Sequence, residues 1–122
     1  MRVAAIIIKD GKILLLRRVR DGKEYFVFPG GALEKGETQE EAIIREVKEE
    51  LGIDTKLDKL AFQIINRGDE ESYFLVKEFS GTPKWQETEK FTEKDQYHPL
   101  WVDLEKAKNL ANLFPKEARK KL

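Results

Sequence analysis

The chain contains no cysteine, and its only histidine is His98. Without a thiol it cannot form a disulfide, use a thiolate nucleophile or ligate zinc or an iron–sulfur cluster through sulfur. A single imidazole also excludes a metal site built from several histidines. Lysine and arginine together number 23, and aspartate and glutamate also number 23, so the formal net charge is zero. A protein without excess positive charge is not expected to coat nucleic acid or to bind a membrane surface.

Long apolar segments are also missing. The run that begins at Val3 is interrupted by Lys9 and Asp10, which makes it too short for a signal peptide or a membrane-spanning helix. We therefore expect a cytoplasmic protein. The length of 122 residues suits a single domain, residues 1–122, because typical domains have roughly 100–200 residues.

Short apolar runs alternate with turn signals over most of the chain. Asp10-Gly11 and Asp21-Gly22 are typical of tight hairpin turns. Between them, Ile13–Leu16 is a continuous apolar run, which predicts a strand buried on both faces. Further strands are predicted at 3–9, 57–66, 72–79 and 100–102, with a four-residue turn at 67–70. A long polar loop, 80–96, precedes the last of these strands, and we expect its Trp85 to line a substrate pocket.

The clearest helix is predicted from Thr38 to Leu51. Thr38 and Glu41 have the spacing of a capping box, and Gly52 is a typical C-terminal stop. Two shorter helices are expected at 103–109 and 116–121. Strands combined with a few helices indicate an α/β fold, in which helices cover a mixed sheet.

Three glutamates of the predicted helix, Glu46, Glu49 and Glu50, lie at positions i, i+3 and i+4. This spacing places their side chains within an arc of roughly 100° on one helix face. Alone, such a triplet is more often a solvated acidic face. The glycine-rich turn just upstream and Arg45 beside the first carboxylate favour a metal site instead. Ligands that offer only oxygen indicate a hard ion, Mg²⁺ before Mn²⁺.

The segment from Gly31 to Ile53 resembles the signature of the Nudix hydrolase family, in particular of its small, MutT-like members. That signature reads G-x5-E-x7-R-E-U-x-E-E-x-G-U, where U is apolar. Every fixed position is met, at Gly31, Glu37, Arg45, Glu46, Val47, Glu49, Glu50, Gly52 and Ile53. The entry segment Phe28–Gly31 and the strand that ends in Arg17-Arg18 are also similar to the family's layout. Nine constraints within one segment make a chance match improbable.

The resemblance implies an α/β/α sandwich with a mixed β-sheet. It also implies a Mg²⁺-dependent hydrolase, with Mn²⁺ as an alternative ion, that splits a nucleoside diphosphate linked to another group. The metal ligands that it implies are three carboxylates and one backbone carbonyl: Glu46, Glu49, Glu50 and Gly31. Glu37 and Arg45 resemble the pair that braces the catalytic loop against the helix.

Other candidate residues lie outside the helix. Arg17 and Arg18 end a strand beside the expected cleft, where a guanidinium can hold a substrate phosphate. Because neighbouring strand residues face opposite sides, only one of the two can point inward. The backbone of Gly30 and Gly31 is expected to contact the substrate. Glu87 resembles the additional catalytic acid that some small family members carry before their last strand, and a solvated acidic loop is the alternative.

Two other functions remain open from the sequence. One is a catalytically silent module that senses nucleotides, and the other is an RNA 5′-end pyrophosphohydrolase. The zero net charge and the lack of an evident basic groove both count against the RNA enzyme. We expect a small nucleotide diphosphate as the partner, with no membrane and no nucleic acid. The sequence leaves open both the identity of the nucleotide and the choice between a monomer and a homodimer.

Overall fold

The computed structural model describes all residues from Met1 to Leu122 and contains nine strands and three α-helices. The elements are β1 Arg2–Ile6, β2 Ile8–Lys9, β3 Lys12–Arg20, β4 Lys23–Val27, β5 Gly30–Ala32, α1 Gln39–Leu51, β6 Asp54–Asn66, β7 Asp69–Ser80, β8 Asp95–Asp103, α2 Leu104–Lys108, β9 Leu113–Phe114 and α3 Lys116–Arg119. A single 3₁₀ turn, Thr88–Lys90, lies between β7 and β8. None of the helices has the length and apolar character needed to cross a bilayer.

The strands form two mixed sheets. The first has the order β5-β1-β7-β6, in which β1 and β7 are parallel and the other neighbours are antiparallel. The second has the order β2-β3-β4-β9, and β8 pairs along the whole of β3. Its only parallel pair is β4 with β9. The predicted α/β class with mixed sheets is confirmed, and the strands divide between two sheets.

Three hairpins close through two-residue turns. In each turn both residues have positive φ: Asp10-Gly11, Asp21-Gly22 and Arg67-Gly68. This geometry matches the right-handed twist of the strands, and glycine at the second position adopts it without steric cost. The first two turns agree with the sequence prediction. The third is shorter than the predicted turn at 67–70, because pairing between β6 and β7 extends to Asn66 and Asp69.

Two apolar clusters lie on opposite sides of the central strands. On β3, Leu14 and Leu16 belong to one cluster, whereas Ile13 and Leu15 belong to the other. The first cluster also contains four residues of α1, and the second contains one residue each of α2 and α3. The prediction that Ile13–Leu16 is buried on both faces is therefore confirmed. Burial on both faces fixes β3 and, through it, the position of Arg18 at its far end.

Several element boundaries differ from those predicted. The strand expected at 3–9 breaks at Ile7, so that β1 and β2 join different sheets. The glycine-rich segment Gly30–Ala32 is a strand, β5, which pairs with β1. Glycine has low strand propensity, so that this pairing depends on a distant partner and is not visible locally. The last long strand, β8, begins at Asp95 and not at 100. Its pairing with β3 starts at Asp95 and continues without a break past Pro99.

Candidate active site

Helix α1 is held at both ends by its own capping residues. Thr38 Oγ1 accepts a hydrogen bond from the Glu41 amide at 3.1 Å, and Glu41 Oε1 accepts one from the Thr38 amide at 2.9 Å. Gly52 ends the helix in a left-handed conformation, and its amide donates to the Lys48 carbonyl. These caps confirm the predicted helix. The buried residues Ala42, Ile43, Val47 and Leu51 set which face of α1 packs against the core.

The backbone of β5 lies directly against the acidic face of α1. The Gly30 amide donates to Glu50 Oε1 at 3.0 Å. A Cβ atom on Gly31 would lie 2.3 Å from the Glu46 carboxylate, and one on Gly30 would lie 2.1 Å from the Val3 carbonyl oxygen of β1. Real Cβ atoms do not approach this closely, so a side chain at Gly30 would clash with the β1 backbone and one at Gly31 would displace the Glu46 carboxylate. The two glycines thus bring Glu46 and Glu50 next to exposed backbone.

Arg45 connects the loop before α1 with the acidic face. Its Nε and Nη2 bind the two carboxylate oxygens of Glu37 at 2.7 and 2.9 Å, a bidentate arrangement. Its Nη1 donates to Glu46 at 3.0 Å and to Glu49 at 3.1 Å, and Nη2 reaches the Ala32 carbonyl at 3.2 Å. The Arg45 guanidinium holds the pKa of Glu37 below its usual range. The structure therefore brings together the pair that was expected to brace the loop.

The three glutamates of the predicted metal site differ in exposure. The Glu46 side chain is 15% exposed, whereas that of Glu49 is 51% exposed and lies at the edge of the face. Burial raises the pKa of Glu50 to about 8, and the charges of Glu46 and Glu87 add to this rise. The hydrogen bond from the Gly30 amide and the charge of Arg2 lower the same pKa. No group of three or more acidic or histidine side chains has the arrangement needed to hold a metal ion. Arg45 binds Glu46 and Glu49, and Glu50 turns to Gly30.

Glu87 is placed beside Glu50 by the loop that follows β7. The Lys84 amide donates to the Leu51 carbonyl at 3.1 Å, and the Gln86 amide donates to the Glu50 carbonyl at 2.8 Å. These bonds satisfy carbonyls at the end of α1 that have no partner within the helix. The Glu87 side chain is mostly buried and forms an ion pair with Lys90. The predicted extra acid thus lies close enough to Glu50 to influence its pKa.

Trp85 does not line a substrate pocket, and that prediction is wrong. Its side chain is 8% exposed and belongs to the core cluster beneath α1. The indole stacks on the Tyr97 ring with centroids 4.1 Å apart, and its Nε1 donates to the Glu87 carbonyl at 2.9 Å. A large apolar ring in a polar loop is stabilised by burial, so that Trp85 anchors the loop and positions Glu87.

The two arginines at the end of β3 point in different directions. Arg17 forms a surface ion pair with Glu24 at 3.1 Å. Arg18 lies inside, 3.8 Å above the Tyr97 ring, and its Nη2 donates to Asp95 at 2.5 Å. The Arg18 Nε is buried and has no hydrogen-bond acceptor. Of the two arginines predicted to bind substrate, the structure places only Arg18 at a cavity.

That cavity, of about 250 Å³, lies between the two sheets. Its lining includes a second arginine, Arg2, and a buried acid, Glu71, neither of which belongs to the sequence motif. Arg2 Nη2 donates to the Phe28 carbonyl at 3.3 Å, and its charge lowers the pKa of Glu50. No residue of α1 lines this cavity, and Arg2 is the link between the two through the effect of its charge on Glu50. Sequence reasoning missed Arg2 and Glu71 because only the parallel pairing of β1 with β7 makes them neighbours.

Comparison with known proteins defines the class to which this fold and site belong. The model of the NUDIX domain matches residues 1–121, and the chain therefore belongs to the Nudix hydrolase family.

Relatives and solved structures agree with this membership. An 8-oxo-dGTP diphosphatase from Escherichia coli is 33% identical over 91 residues, which are 68% of this chain and 70% of that protein. An ADP-ribose pyrophosphatase from Methanocaldococcus jannaschii is 51% identical over 59 residues, which are 48% of this chain and 35% of that protein. The match thus spans about a third of the archaeal protein. The solution structure of the E. coli ORF135 protein is 31% identical, with a TM-score of 0.73 over 95% of this chain and 81% of the other.

Proposed function

We propose that this protein is a Mg²⁺-dependent hydrolase of nucleotide diphosphates. It would split a nucleoside diphosphate linked to another group into a nucleoside monophosphate and the phosphorylated group. The observation that carries the proposal is the position of Glu46 and Glu50. Both carboxylates lie against the β5 backbone, and the charge of Glu87 acts on Glu50.

The donor set suits Mg²⁺. All the groups on this face are oxygen ligands, which hard cations prefer. Burial is the main cause of the raised pKa of Glu50, and the charges of Glu46 and Glu87 add to it. A divalent cation would relieve the repulsion between these carboxylates. The residues that would hold it are Glu46, Glu49, Glu50 and the Gly31 carbonyl. When bound, Mg²⁺ neutralises charge on a diphosphate and makes a coordinated water easier to deprotonate.

The protein's own side chains would prepare the attack on phosphorus. Glu87 is the candidate base that accepts the proton of the attacking water, because its carboxylate lies beside Glu50 and Trp85 fixes its backbone. Glu46 is the alternative base. Arg45 and Glu37 would hold the loop and the helix in register, a positioning role.

Two arginines would bind the nucleotide part of the substrate. Arg18 and Arg2 both line the cavity between the two sheets. A guanidinium matches the geometry of phosphate oxygens, and the Arg18 Nε still has an unused hydrogen to donate. The relatives compared above are named for two different substrates, ADP-ribose and 8-oxo-dGTP. Both are nucleoside diphosphate derivatives, and that shared chemistry is the class that we propose.

The proposal is tested by hydrolysis of a nucleotide panel with Mg²⁺, in the wild type and in two matched variants. Glu50→Gln removes a proposed charged ligand and should lower turnover at least about a hundredfold. Glu41→Gln is the control, because a glutamine oxygen can still accept from the Thr38 amide and preserve the cap. A wild-type protein that binds nucleotides and hydrolyses none would be a silent sensing module. Equal turnover in all three proteins would show that the acidic face is structural.

A further inference from the structure

Tyr97 of β8 lies between two residues that belong to different parts of the proposed site. The Trp85 indole stacks on its ring, with centroids 4.1 Å apart and an angle of 2° between the planes. The guanidinium carbon of Arg18 lies 3.8 Å from the centroid of the same ring. Two groups this close to one centroid would overlap on a single face, because packed atoms keep about 3.5 Å apart. The Tyr97 ring is therefore sandwiched between Trp85 and Arg18.

The first face of the Tyr97 ring supports Arg18. The two residues are opposite each other in the antiparallel pairing of β3 with β8, so their side chains share one face of the sheet. Asp95 accepts a hydrogen bond from one end of the guanidinium at 2.5 Å, and the Tyr97 ring covers its flat side. A cation over an aromatic ring is attracted to that ring. Tyr97 thus helps to set the direction in which Arg18 presents its donors.

The second face supports the loop that carries Glu87. Trp85 Nε1 donates to the Glu87 carbonyl at 2.9 Å. The Gln86 amide, between these two residues, donates to the Glu50 carbonyl of α1 at 2.8 Å. The indole N–H lies in the plane of its ring. By fixing that plane, the Tyr97 ring also fixes the direction of the bond to the Glu87 backbone.

We propose that Tyr97 is a positioning residue that aligns the substrate-binding Arg18 with the loop of the candidate base, Glu87. The proposal rests on the proposed function, in which Arg18 binds the substrate and Glu87 accepts a proton from water. Tyr97 does not line the cavity between the sheets. Its hydroxyl makes one long contact, at 3.4 Å to Asp95. Tyr97 therefore acts through the two faces of its ring.

The test measures kcat and KM with Mg²⁺ on the best substrate of the nucleotide panel. Tyr97→Leu keeps an apolar side chain and removes both flat faces. We expect kcat to fall at least about tenfold, because a small displacement of a reacting group is enough. We expect KM to rise about tenfold, because the guanidinium loses its aromatic support. Tyr97→Phe should rescue both values, since it restores both faces. Phe91→Leu is the matched control, because the Phe91 ring packs edge-on against His98, outside the stack.

Two further backgrounds separate positioning from a purely structural role. In Glu87→Gln, the added Tyr97→Leu change should no longer lower kcat, because the carboxylate that it positions is gone, but should still raise KM. In Arg18→Met, the same change should no longer raise KM and should still lower kcat. A residue that only stabilises the fold would cause the same losses in every background. Should Tyr97→Leu fail to fold, Tyr97→Met takes its place, since a flexible methionine fills the same space.

Several results would overturn the proposal. Equal losses in all three backgrounds would do so, and so would wild-type kinetics in Tyr97→Leu. A tenfold loss in Tyr97→Phe would show that the hydroxyl matters and not the faces, and an equal loss in Phe91→Leu would remove the special place of the stack. If the wild type hydrolyses no nucleotide, the proposed function fails, and ADP binding by calorimetry then tests Tyr97 separately. A tenfold weaker affinity in Tyr97→Leu supports the contact with Arg18, whereas unchanged affinity, or no binding by the wild type, rejects it.

Discussion

Two neighbouring glycines should respond to the same substitution in opposite ways. A Cβ atom on Gly30 would lie 2.1 Å from the Val3 carbonyl oxygen and 2.8 Å from the Ala4 Cα, and both are backbone atoms of a buried strand. Neither can move without shifting β1. Overpacking of this kind costs about 1–3 kcal/mol, so Gly30→Ala should unfold at a clearly lower urea concentration than the wild type.

Gly31→Ala should retain the fold and lose activity. The Cβ atom would lie 2.3 Å from the carboxylate of Glu46, which is the far end of a flexible side chain. Glu46 can rotate away, so the stability should change by less than about 1 kcal/mol. The rotation removes a proposed ligand from its place, and turnover should fall by about two orders of magnitude.

The assay for both variants is urea unfolding combined with nucleotide hydrolysis per folded molecule. Wild-type turnover in Gly31→Ala would refute the reasoning, because the position of Glu46 would then not matter to the chemistry. Equal destabilisation of the two variants would refute the distinction between the backbone contact and the side-chain contact.

Three further substitutions test the surroundings of the acidic face. Glu49→Gln should lower turnover by about two orders of magnitude, and a wild-type rate would show that its exposed carboxylate is not a ligand. Glu87→Gln should lower kcat more than it raises KM, whereas Glu93→Gln, in the same loop but exposed, should leave both unchanged. An unchanged kcat in Glu87→Gln would assign the base elsewhere. Trp85→Ala should cost about 3–5 kcal/mol in urea unfolding, and a loss below about 1 kcal/mol would contradict its place in the core.

The local signals of the sequence predict α1 well. A capping box and a C-terminal glycine depend on residues within a few positions of one another, and the structure has both at Thr38 and Gly52. The same holds for the hairpin turns at Asp10-Gly11 and Asp21-Gly22. These features are local because neighbouring residues satisfy the backbone groups concerned.

The parts that sequence reasoning missed depend on contacts between distant segments. Trp85 lies in a polar loop and is buried because it joins the core cluster beneath α1 and stacks on Tyr97 of β8. Arg2 and Glu71 are register partners across the parallel β1–β7 pair, and no spacing within the chain indicates this. The basic, acidic and aromatic lining of the cavity is thus a product of the topology. A motif-based prediction therefore reaches the acidic face of α1 and not the cavity between the sheets.

The most direct test of the central claim is nucleotide hydrolysis under control of divalent cations. The protein is treated with EDTA, assayed in metal-free buffer against the best substrate of the panel, and assayed again after Mg²⁺ or Mn²⁺ is added. If the carboxylates of α1 act through a bound cation, hydrolysis is abolished by the chelator and restored by either ion. Full activity in metal-free buffer would contradict the account.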